Sequence, residues 1–287
     1  MRIIIERGSD MKLKLGEKIL IQALLVLFIV LTLVPFLWTI STSFKETSEI
    51  LSYPPKLLPS HATMKNYIKV LMQDHFLKFM LNSTIVTVAS VAVTLLVSMF
   101  AGYGAARYNF PGKGFVMFVI LAGMAVGRFA NAMPMYFMAN KLGLLDTYVI
   151  LVFVYSAFII PLVTWLMQSY YRTIPKTLEE AAKLDGCNSW TAFWRVIVPL
   201  MKPSIIAGGI IAATNAWNEF ILALNLTKSE GMRTLPVALH LFQTDYGVEW
   251  GALSAASIIS ILPIVIIFLI LQKYFVQGMT AGTLSAS

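Results

Sequence analysis

The sequence predicts an all-α membrane protein with six transmembrane helices, and two observations lead to this prediction. Only 13% of the residues are charged, against about 25% in an average soluble domain, and the mean hydropathy is +0.76. Uncharged stretches also recur at the length of roughly 20 residues that a helix needs to cross about 30 Å of hydrocarbon. A soluble chain of 287 residues would not need so many of them, so we predict a polytopic protein of the lipid bilayer.

The spans follow from the apolar runs, taken in order along the chain. Four runs contain no Lys, Arg, Asp or Glu, and two further runs contain one charge each, Arg128 and Glu219. The first run is too long for the apolar core of a signal peptide, which has about 7–15 residues, so an uncleaved helix is predicted. We place the six spans at about residues 19–41, 82–106, 114–138, 148–170, 204–227 and 251–273.

The loops between the spans indicate which side of the membrane each end occupies. With the N-terminus inside, thirteen Lys and Arg residues lie in inner segments and eight in outer loops. Membrane proteins carry such an excess of cations on the cytoplasmic side. The segment 1–18 and the tail 283–287 are therefore predicted to be cytoplasmic. The net charge of +8 then reflects membrane topology rather than binding of nucleic acid.

The sequence lacks the residues that several functional classes require. The single cysteine, Cys187, excludes an internal disulfide and a cysteine metal cluster, and no Walker-type phosphate loop, His-Glu-x-x-His or Gly-x-Ser-x-Gly occurs. The three histidines are scattered over outer segments, whereas a membrane-embedded enzyme needs a cluster of reactive groups at the membrane face. A self-contained secondary transporter should show paired broken helices in two halves, and the sequence has no evident internal repeat.

One inner loop, 171–203, differs from the rest of the chain because it holds several charges and bulky aromatics. Thr177 to Glu180 match a capping box, in which a hydroxyl and a carboxylate each satisfy a free amide at a helix start. Gly186 stands where a left-handed residue would end that helix. The loop is therefore predicted to fold as two short helices that meet at a glycine corner.

The second helix of this loop is predicted to be amphipathic. Asn188 or Ser189 can cap its start, and Pro199 is predicted to end it. Its apolar stripe, at helical spacings of three and four, consists of Trp190, Phe193, Trp194 and Ile197. Two interpretations of the loop are open at this point. It either lies on the lipid headgroups or docks a cytoplasmic partner.

The same loop resembles the EAA loop of ABC-importer permeases, which reads Glu-Ala-Ala-x3-Gly-x9-Ile-x-Leu-Pro. Here Glu180-Ala-Ala is followed by Gly186 and then by Val196-Ile-Val-Pro199, with valines at the Ile and Leu positions. The stretch 174–186 resembles in particular the carbohydrate branch, the family of the maltose-system permeases. Shorter matches extend the resemblance from about residue 33 to residue 282, at 82–83, 101–107, 143–147, 217–220 and 278–282.

The resemblance implies the type I ABC-importer permease fold over residues 19–282 and a place in the inner membrane of a prokaryotic cell. Such a permease pairs with a second permease subunit beneath an extracytoplasmic solute-binding protein, and a dimer of ATPase subunits lies in the cytoplasm. ATP and Mg²⁺ are then expected on the partner ATPase, with no cofactor, metal or catalytic site on this chain. The expected solute is a sugar or an oligosaccharide. A glycerol phosphoester or another polar solute is the alternative within this class.

In this family the EAA loop fits a cleft in an ATPase subunit and couples ATP hydrolysis to the pore. The ATPase-coupling residues implied by the resemblance are Glu179, Glu180, Ala181, Ala182, Asp185, Gly186, Trp190, Phe193, Trp194 and Pro199. The outer loop 228–249 is implied to contact the binding protein. The tail departs from the family pattern after Gly282, where it reads Thr-Leu-Ser-Ala-Ser, so no contact of the tail with the ATPases is implied.

The two charges inside apolar runs are candidates for the substrate path. A charge within a span costs at least about 2.5–3.5 kcal/mol on insertion scales, so it normally faces protein or water. Amides, carboxylates and aromatic rings are the groups that bind sugars, and such groups surround both charges. The candidate residues are Arg128, Asn131, Asn215, Trp217, Asn218 and Glu219. If Arg128 lines the pore, it should favour solutes with carboxylate or phosphate groups. A structural ion pair between Arg128 and Glu219, or a pair with the second permease, is the alternative.

Two ridges of small residues, spaced by four along predicted spans, allow helix backbones to approach closely in lipid. The ridges consist of Ser98, Gly102 and Ala106 and of Gly208, Ala212 and Ala216. Packing within this chain is favoured over a contact surface dedicated to the second permease.

Overall fold

The computed structural model describes residues 15–72, 75–125, 127–240, 242–244 and 247–283. The segment 1–18 and the tail 283–287 lie outside these residues, except at their inner ends. Within the described parts of the chain, four helices are long and apolar enough to cross a membrane, and two bent helix pairs raise the number to as many as six. The architecture is therefore the all-α polytopic one that the hydropathy pattern predicts.

The helices of the first half are α1 (Leu15–Ser43), α2 (Thr47–Ile50), α3 (Lys65–Met72), α4 (Phe76–Arg107), α5 (Lys113–Ala122), α6 (Arg128–Lys141) and α7 (Tyr148–Thr173). Those of the second half are α8 (Thr177–Leu184), α9 (Ser189–Ala192), α10 (Val198–Leu200), α11 (Lys202–Trp217), α12 (Ile221–Leu226), α13 (Leu235–His240) and α14 (Trp250–Thr283). Short 3₁₀ turns lie at Gly123–Ala125 and Glu230–Met232, and a π-helical turn lies at Phe193–Ile197. Two short strands, β1 (Gln243–Thr244) and β2 (Gly247–Val248), pair antiparallel, with Gln243 opposite Val248.

Helices α4 and α7 pack closely along their length because small residues line the contact. A Cβ atom added to Gly102 would lie 2.7 Å from the Cβ of Met167, so only glycine fits there. The buried Ser98 hydroxyl donates to the carbonyl of Ile160 at 3.3 Å and lies 3.2 Å from the hydroxyl of Thr164. The first ridge of small residues therefore packs within this chain, as predicted.

Helix α11 contacts α4, α7 and α14. A Cβ atom added to Gly208 would lie 2.9 Å from a methyl carbon of Val163, and both Ala212 and Ala216 are buried. The second ridge thus also packs within the chain. Close backbone approach at these small residues brings α4, α7 and α11 into one group of helices.

Helix α1 contrasts with this group. It contacts α14, and its large apolar side chains remain exposed, with Phe28 69% accessible. Its most apolar segment has a mean hydropathy of 2.8. Such a surface is stable in contact with lipid tails or with another apolar subunit.

The third span, predicted as one helix at about residues 114–138, consists of two helices. Helix α5 with its 3₁₀ turn and helix α6 are bent by 97° relative to each other. Gly127, the residue before α6, is extended with φ −62° and ψ 147°, which ends helical geometry at that point. The fifth span, predicted at 204–227, differs at both ends. The segment Ser189–Leu200 and the segment Lys202–Trp217 are bent by 74° relative to each other, and α11 ends at Trp217 before α12 begins at Ile221.

Candidate coupling loop and substrate path

We call the inner loop 171–203, which resembles the EAA loop, the candidate coupling loop, or coupling loop for short. The structure corrects the prediction made for the start of its first helix. The capping box of Thr177 and Glu180 does not form, since no side chain caps α8. Lys176, the residue before the helix, already has helical dihedral angles, and its carbonyl accepts from the amides of Glu179 and Glu180 at 3.0 and 3.1 Å. Thr177 therefore lies inside the helical turn, where its hydroxyl is not positioned as a cap.

The glycine corner after α8 is confirmed. Gly186 has φ +87°, a left-handed value that strongly favours glycine. Its amide donates to the carbonyl of Lys183 at 3.1 Å, and the amide of Cys187 donates to the carbonyl of Ala182 at 2.9 Å. These two bonds form a Schellman motif, which satisfies the free carbonyls at the helix end.

The second helix begins as predicted and ends later than predicted. The Asn188 side chain accepts from the amide of Thr191 at 2.8 Å and so caps α9. The helix ends at Leu200, one residue after Pro199. Proline cannot donate to a carbonyl four residues earlier. A π-helical turn precedes Pro199, in which the amide of Val198 donates to the carbonyl of Phe193, and after Leu200 the chain bends by 74° into α11.

The aromatic stripe of this helix is divided between the interior and the surface. Phe193 and Ile197 are 4% and 0% accessible, whereas Trp190 and Trp194 are exposed. Phe100 on α4 stacks on Phe193 and Trp190 with centroid distances of 5.4 and 5.9 Å. Phe100 therefore anchors both the buried and the exposed part of the stripe to α4, and Trp190 and Trp194 still present exposed surface.

Glu179 faces the interior of the protein. Its carboxylate accepts from Arg107 Nε at 2.5 Å and from the Tyr103 hydroxyl at 2.8 Å. A terminal guanidinium nitrogen of Arg107 also donates to the carbonyl of Ile174 at 3.0 Å. Both Tyr103 and Arg107 lie in the family-like stretch 101–107, but sequence reasoning assigned neither of them a role. Tyr103 lies three residues after Phe100, and Arg107 lies four residues after Tyr103, so the three share one helical face at the end of an apolar helix. This spacing is the signal that could have identified them.

The other predicted coupling residues are divided in the same way. Ala182 is buried with Glu179 and Phe193 on the inner side of the loop. The exposed members are Glu180, Ala181, Asp185, Gly186, Trp190, Trp194 and Pro199. Leu184, which was not predicted, is 89% accessible. The loop therefore presents aromatic residues and charges of both signs on one side, with exposed Lys176, Lys183 and Arg195 beside the two exposed acids, and is anchored to α4 by the other side.

Arg128 is the first residue of α6, at the break of the third span. It donates to the Asn215 side-chain oxygen at 2.9 Å and lies over the ring of Phe158 at 5.9 Å. Asn131, one turn further along α6, donates to the carbonyl of Gly127 at 3.1 Å. The structure thus brings together three predicted polar residues, Arg128, Asn131 and Asn215, all of them half-buried.

Glu219 lies at the break of the fifth span and is only 4% accessible. Its carboxylate accepts from the amides of Leu222 and Ala223 at distances of 3.0–3.2 Å, so it satisfies the start of α12. Both residues are described, and no ion pair joins Glu219 to Arg128. The predicted ion-pair alternative is therefore absent from this conformation.

Trp217 and Asn218 face different surroundings. Trp217 is 7% accessible, and its indole nitrogen donates to the carbonyl of Ser260 at 3.0 Å. This bond ties α11 to α14. Asn218 is exposed, at a groove that it lines with Leu239 and Ser257. Trp217 also lines this groove, with a ring that is nearly buried, whereas the side chain of Asn218 is exposed there.

The far end of α4 holds the loop that follows α12. Asn82 donates to the carbonyls of Gly231 and Arg233 at 2.9 Å, and its own oxygen accepts from the Tyr148 hydroxyl at 2.7 Å. The Ser83 hydroxyl oxygen accepts from an amide of the same loop at 2.7 Å. The family-like pair at 82–83 therefore acts through hydrogen bonds to a segment about 150 residues later in the chain.

Asp146 holds the start of the same loop. Its carboxylate accepts from the amides of Lys228 and Ser229 at 2.8 and 3.0 Å. Burial acts to raise the pKa of this carboxyl, but the hydrogen bonds from Ser229 and Lys228 outweigh burial, and the pKa is lowered from its ordinary value. The loop after α12 is thus fixed by groups from α4 and from the residues just before α7.

The helical membrane fold and the glycine-cornered loop together indicate the class of protein. A multi-pass helical membrane protein that carries a glycine-cornered EAA loop is a transport permease subunit. Residues 94–281 match the family described as "Binding-protein-dependent transport system inner membrane component". The chain belongs to this family.

Comparisons with individual proteins agree with this assignment. The chain is 37% identical over 259 residues to the probable ABC transporter permease protein YurM of Bacillus subtilis (strain 168), covering 90% of this chain and 86% of YurM. It is 34% identical over 271 residues to the trehalose/maltose transport system permease protein MalG of Thermococcus litoralis, covering 93% and 97%. A chain in the crystal structure of a bacterial ABC transporter involved in the import of the acidic polysaccharide alginate matches this chain with a TM-score of 0.79. That match has 26% identity and covers 90% of this chain and 96% of the other.

Proposed function

We propose that this chain is one of two permease subunits of an ATP-driven importer of sugars or oligosaccharides in the cell membrane of a prokaryote. The names of its relatives support a carbohydrate solute, since they include a trehalose/maltose permease. The family description supports dependence on an extracytoplasmic binding protein. The thirteen inner and eight outer cations support cytoplasmic termini.

The coupling loop is the observation that carries this proposal. Its exposed surface, with Glu180, Asp185 and Trp190, fits the role of a docking element for a cytoplasmic ATPase subunit. The Schellman corner at Gly186 holds the two short helices at a defined angle. A rigid docking element can transmit a movement, whereas a mobile loop would absorb it.

In this proposal the chemistry of ATP belongs to the partner. The ATPase dimer binds ATP and Mg²⁺, and this chain contributes no catalytic, cofactor or metal site. Closure of the dimer moves the coupling loops of the two permeases together, and the pore between them opens to the binding protein. Glu179 stays outside the docking surface, because its carboxylate is bound by Arg107 and Tyr103.

The surroundings of Arg128 favour an anionic group on the solute. Its guanidinium is fully charged at physiological pH and has five donors, of which one is bound by Asn215. A carboxylate or phosphate is the complementary ligand for the remaining donors. The solved structure of an importer of an acidic polysaccharide, 26% identical, agrees with this choice.

Substitution of Gly186 tests the coupling role. Gly186→Val should abolish most solute uptake while the chain still inserts, because a β-branched residue is strained at φ +87°. Uptake is measured in membranes that contain the complete complex, together with the amount of ATPase that co-purifies. Gly186→Asn should retain part of the uptake, since asparagine tolerates the left-handed region.

Gly114→Val is the matched control. Gly114 lies in α5 with no atom within 4 Å of an added Cβ and without a positive φ, so uptake should stay near normal. Normal uptake by Gly186→Val would rule out a coupling role for the corner. Glu180→Lys should also weaken co-purification of the ATPase, because its carboxylate is exposed and does not cap α8.

A further inference from the structure

The last turns of α4 present one continuous face to the coupling loop. Phe100, Tyr103 and Arg107 follow one another at spacings of three and four, which places them on the same side of a helix. All three contact the loop: Phe100 stacks on Phe193, the ring of Tyr103 meets Phe193 at 5.1 Å, and Arg107 binds Glu179. We call this face, together with Glu179, the inner clamp.

The inner clamp is a strong attachment because its charges are shielded from water. The side chains of Arg107 and Glu179 are 7% and 13% accessible. Removal of one partner would leave the other as a buried charge without compensation. The additional bond from Arg107 to the carbonyl of Ile174, at 3.0 Å, fixes the chain just before α8 as well.

The opposite end of α4 carries a second attachment. Asn82 and Ser83 hold the loop after α12 through bonds to Gly231, Arg233 and Leu235, at distances of 2.7–2.9 Å. We call Asn82 and Ser83 the outer clamp. Each clamp thus joins α4 to a loop that lies beyond one end of the membrane-spanning helices.

The helix between the clamps is suited to act as a rigid body. About 24 residues separate them, which corresponds to roughly 36 Å at 1.5 Å per residue. Among the four long helices in the described part of the chain, α1, α7 and α14 contain Pro35, Pro161 and Pro263, whereas α4 contains no proline. Proline is a common cause of a kink, and α4 lacks the proline that the other three long helices contain.

We propose that α4 is the rigid connection between the two faces of the permease, and that the inner and outer clamps are its points of attachment. This inference rests on the proposed importer function. A movement of the coupling loop displaces α4 through Arg107, and α4 displaces the outer loop through Asn82. The clamp residues are positioning residues, because none of them needs to contact the solute or the ATPase.

The test measures how strongly the ligand-loaded binding protein stimulates ATP hydrolysis by the complete complex in proteoliposomes. Uptake by the wild-type complex is first compared for neutral and uronic oligosaccharides. The solute that accumulates most is then used to load the binding protein. Arg107→Gln and Asn82→Ala should each lower the stimulation at least about fivefold, the lower end of usual coupling factors. Basal ATP hydrolysis per assembled complex should remain unchanged. The double variant should be no worse than either single variant, because both break the same connection.

Milder and control variants keep the test decisive where a clamp variant assembles poorly. Tyr103→Phe and Ser83→Ala remove one hydroxyl each and should lower the stimulation in the same direction. Arg172→Gln, at the exposed end of α7, is the control for Arg107→Gln. Thr84→Ala is the control for Asn82→Ala, because the exposed Thr84 hydroxyl donates to a carbonyl of its own helix. Neither control should change the stimulation.

The outcomes separate this inference from the proposed function. Unchanged stimulation in Arg107→Gln and Tyr103→Phe, or losses that multiply in the double variant, would overturn the role of α4 while the importer function stands. A wild-type chain that binds no ATPase and shows no stimulation would instead overturn the proposed function. Loss of basal hydrolysis in step with stimulation would assign the clamps a purely structural role and also overturn the inference.

Discussion

Arg128 and Glu219 look alike in the sequence and differ in the structure. Each is a single charge in an otherwise apolar run, and each lies where a predicted span is broken into two helices. Arg128 is the first residue of α6, and Glu219 lies two residues before α12. The two charges thus occupy nearly the same position relative to a helix start.

The difference between them follows from the sign of the charge. A helix start offers free amides and a partial positive charge, which an anion satisfies and a cation does not. Glu219 is buried with both carboxylate oxygens bonded to amides of α12. Arg128 remains half-buried, with one bond to Asn215. The structure therefore accounts for Glu219 by itself, whereas the position of Arg128 calls for a further, functional explanation.

Exchange of the two charges is expected to have the largest effect. The double variant Arg128→Glu, Glu219→Arg should be at least as damaged as Glu219→Arg alone, because the two residues bind different groups. A buried arginine at 219 would face amides that cannot accept, at a cost of about 3–5 kcal/mol for an uncompensated buried charge. Membrane accumulation and solute uptake measure the effect. Rescue by the double variant would show that the two charges do pair in the working protein.

Removal of the carboxylate alone should be the next largest effect. Glu219→Leu leaves the amides of Leu222 and Ala223 without acceptors, at about 1–3 kcal/mol for each buried group. Glu219→Gln retains one acceptor oxygen and should be less destabilised. Thermal unfolding in detergent ranks the stability of the purified wild-type protein, Glu219→Gln and Glu219→Leu. An equal loss in both variants would mean that the charge itself, rather than the cap, is required.

Removal of the guanidinium should affect transport more than stability. Arg128→Gln should lower uptake of uronic oligosaccharides by about tenfold relative to neutral ones of similar length, since a charge-assisted hydrogen bond contributes about 1.5–3 kcal/mol. The measurement uses the matching binding protein for each solute. Equal loss for both solutes would reject an anion-selective role, and normal uptake of both would show that Arg128 is dispensable.

The smallest effect is expected for a change at Trp217, a buried residue of the fifth span that lies close to Glu219 in the sequence. Trp217→Phe removes the hydrogen bond to the carbonyl of Ser260 and should lower the free energy of unfolding by about 1 kcal/mol. Uptake per folded molecule should remain near normal, because the indole ring is buried against α14. A loss of uptake with an unchanged melting temperature would show that Trp217 acts in the substrate path rather than only in packing.

Much of the candidate site could be predicted from local patterns. What these patterns could not predict has one common cause. The capping box at 177–180 fits the sequence rule, but Lys176 is already helical and moves the helix start. Pro199 fits the rule for a helix end, and the helix ends one residue after it, at Leu200. Glu179 is among the coupling residues that the resemblance implies, and only the structure shows that Arg107 and Tyr103 bind its carboxylate. The helix start and the partners of Glu179 both depend on geometry or contacts outside the motif.

The sequence by itself determined the apolar spans, the position of the coupling loop and its glycine corner. These are local properties: transfer into lipid depends on about 20 consecutive residues, and a φ of +87° at residue 186 strongly favours glycine. Only the tertiary structure decided which charges and aromatics of those segments face inward. The partners that decide it are distant along the chain, 72 residues for the Arg107–Glu179 pair and 43 for the bond from Trp217 to Ser260, and helical periodicity carries no information about such contacts.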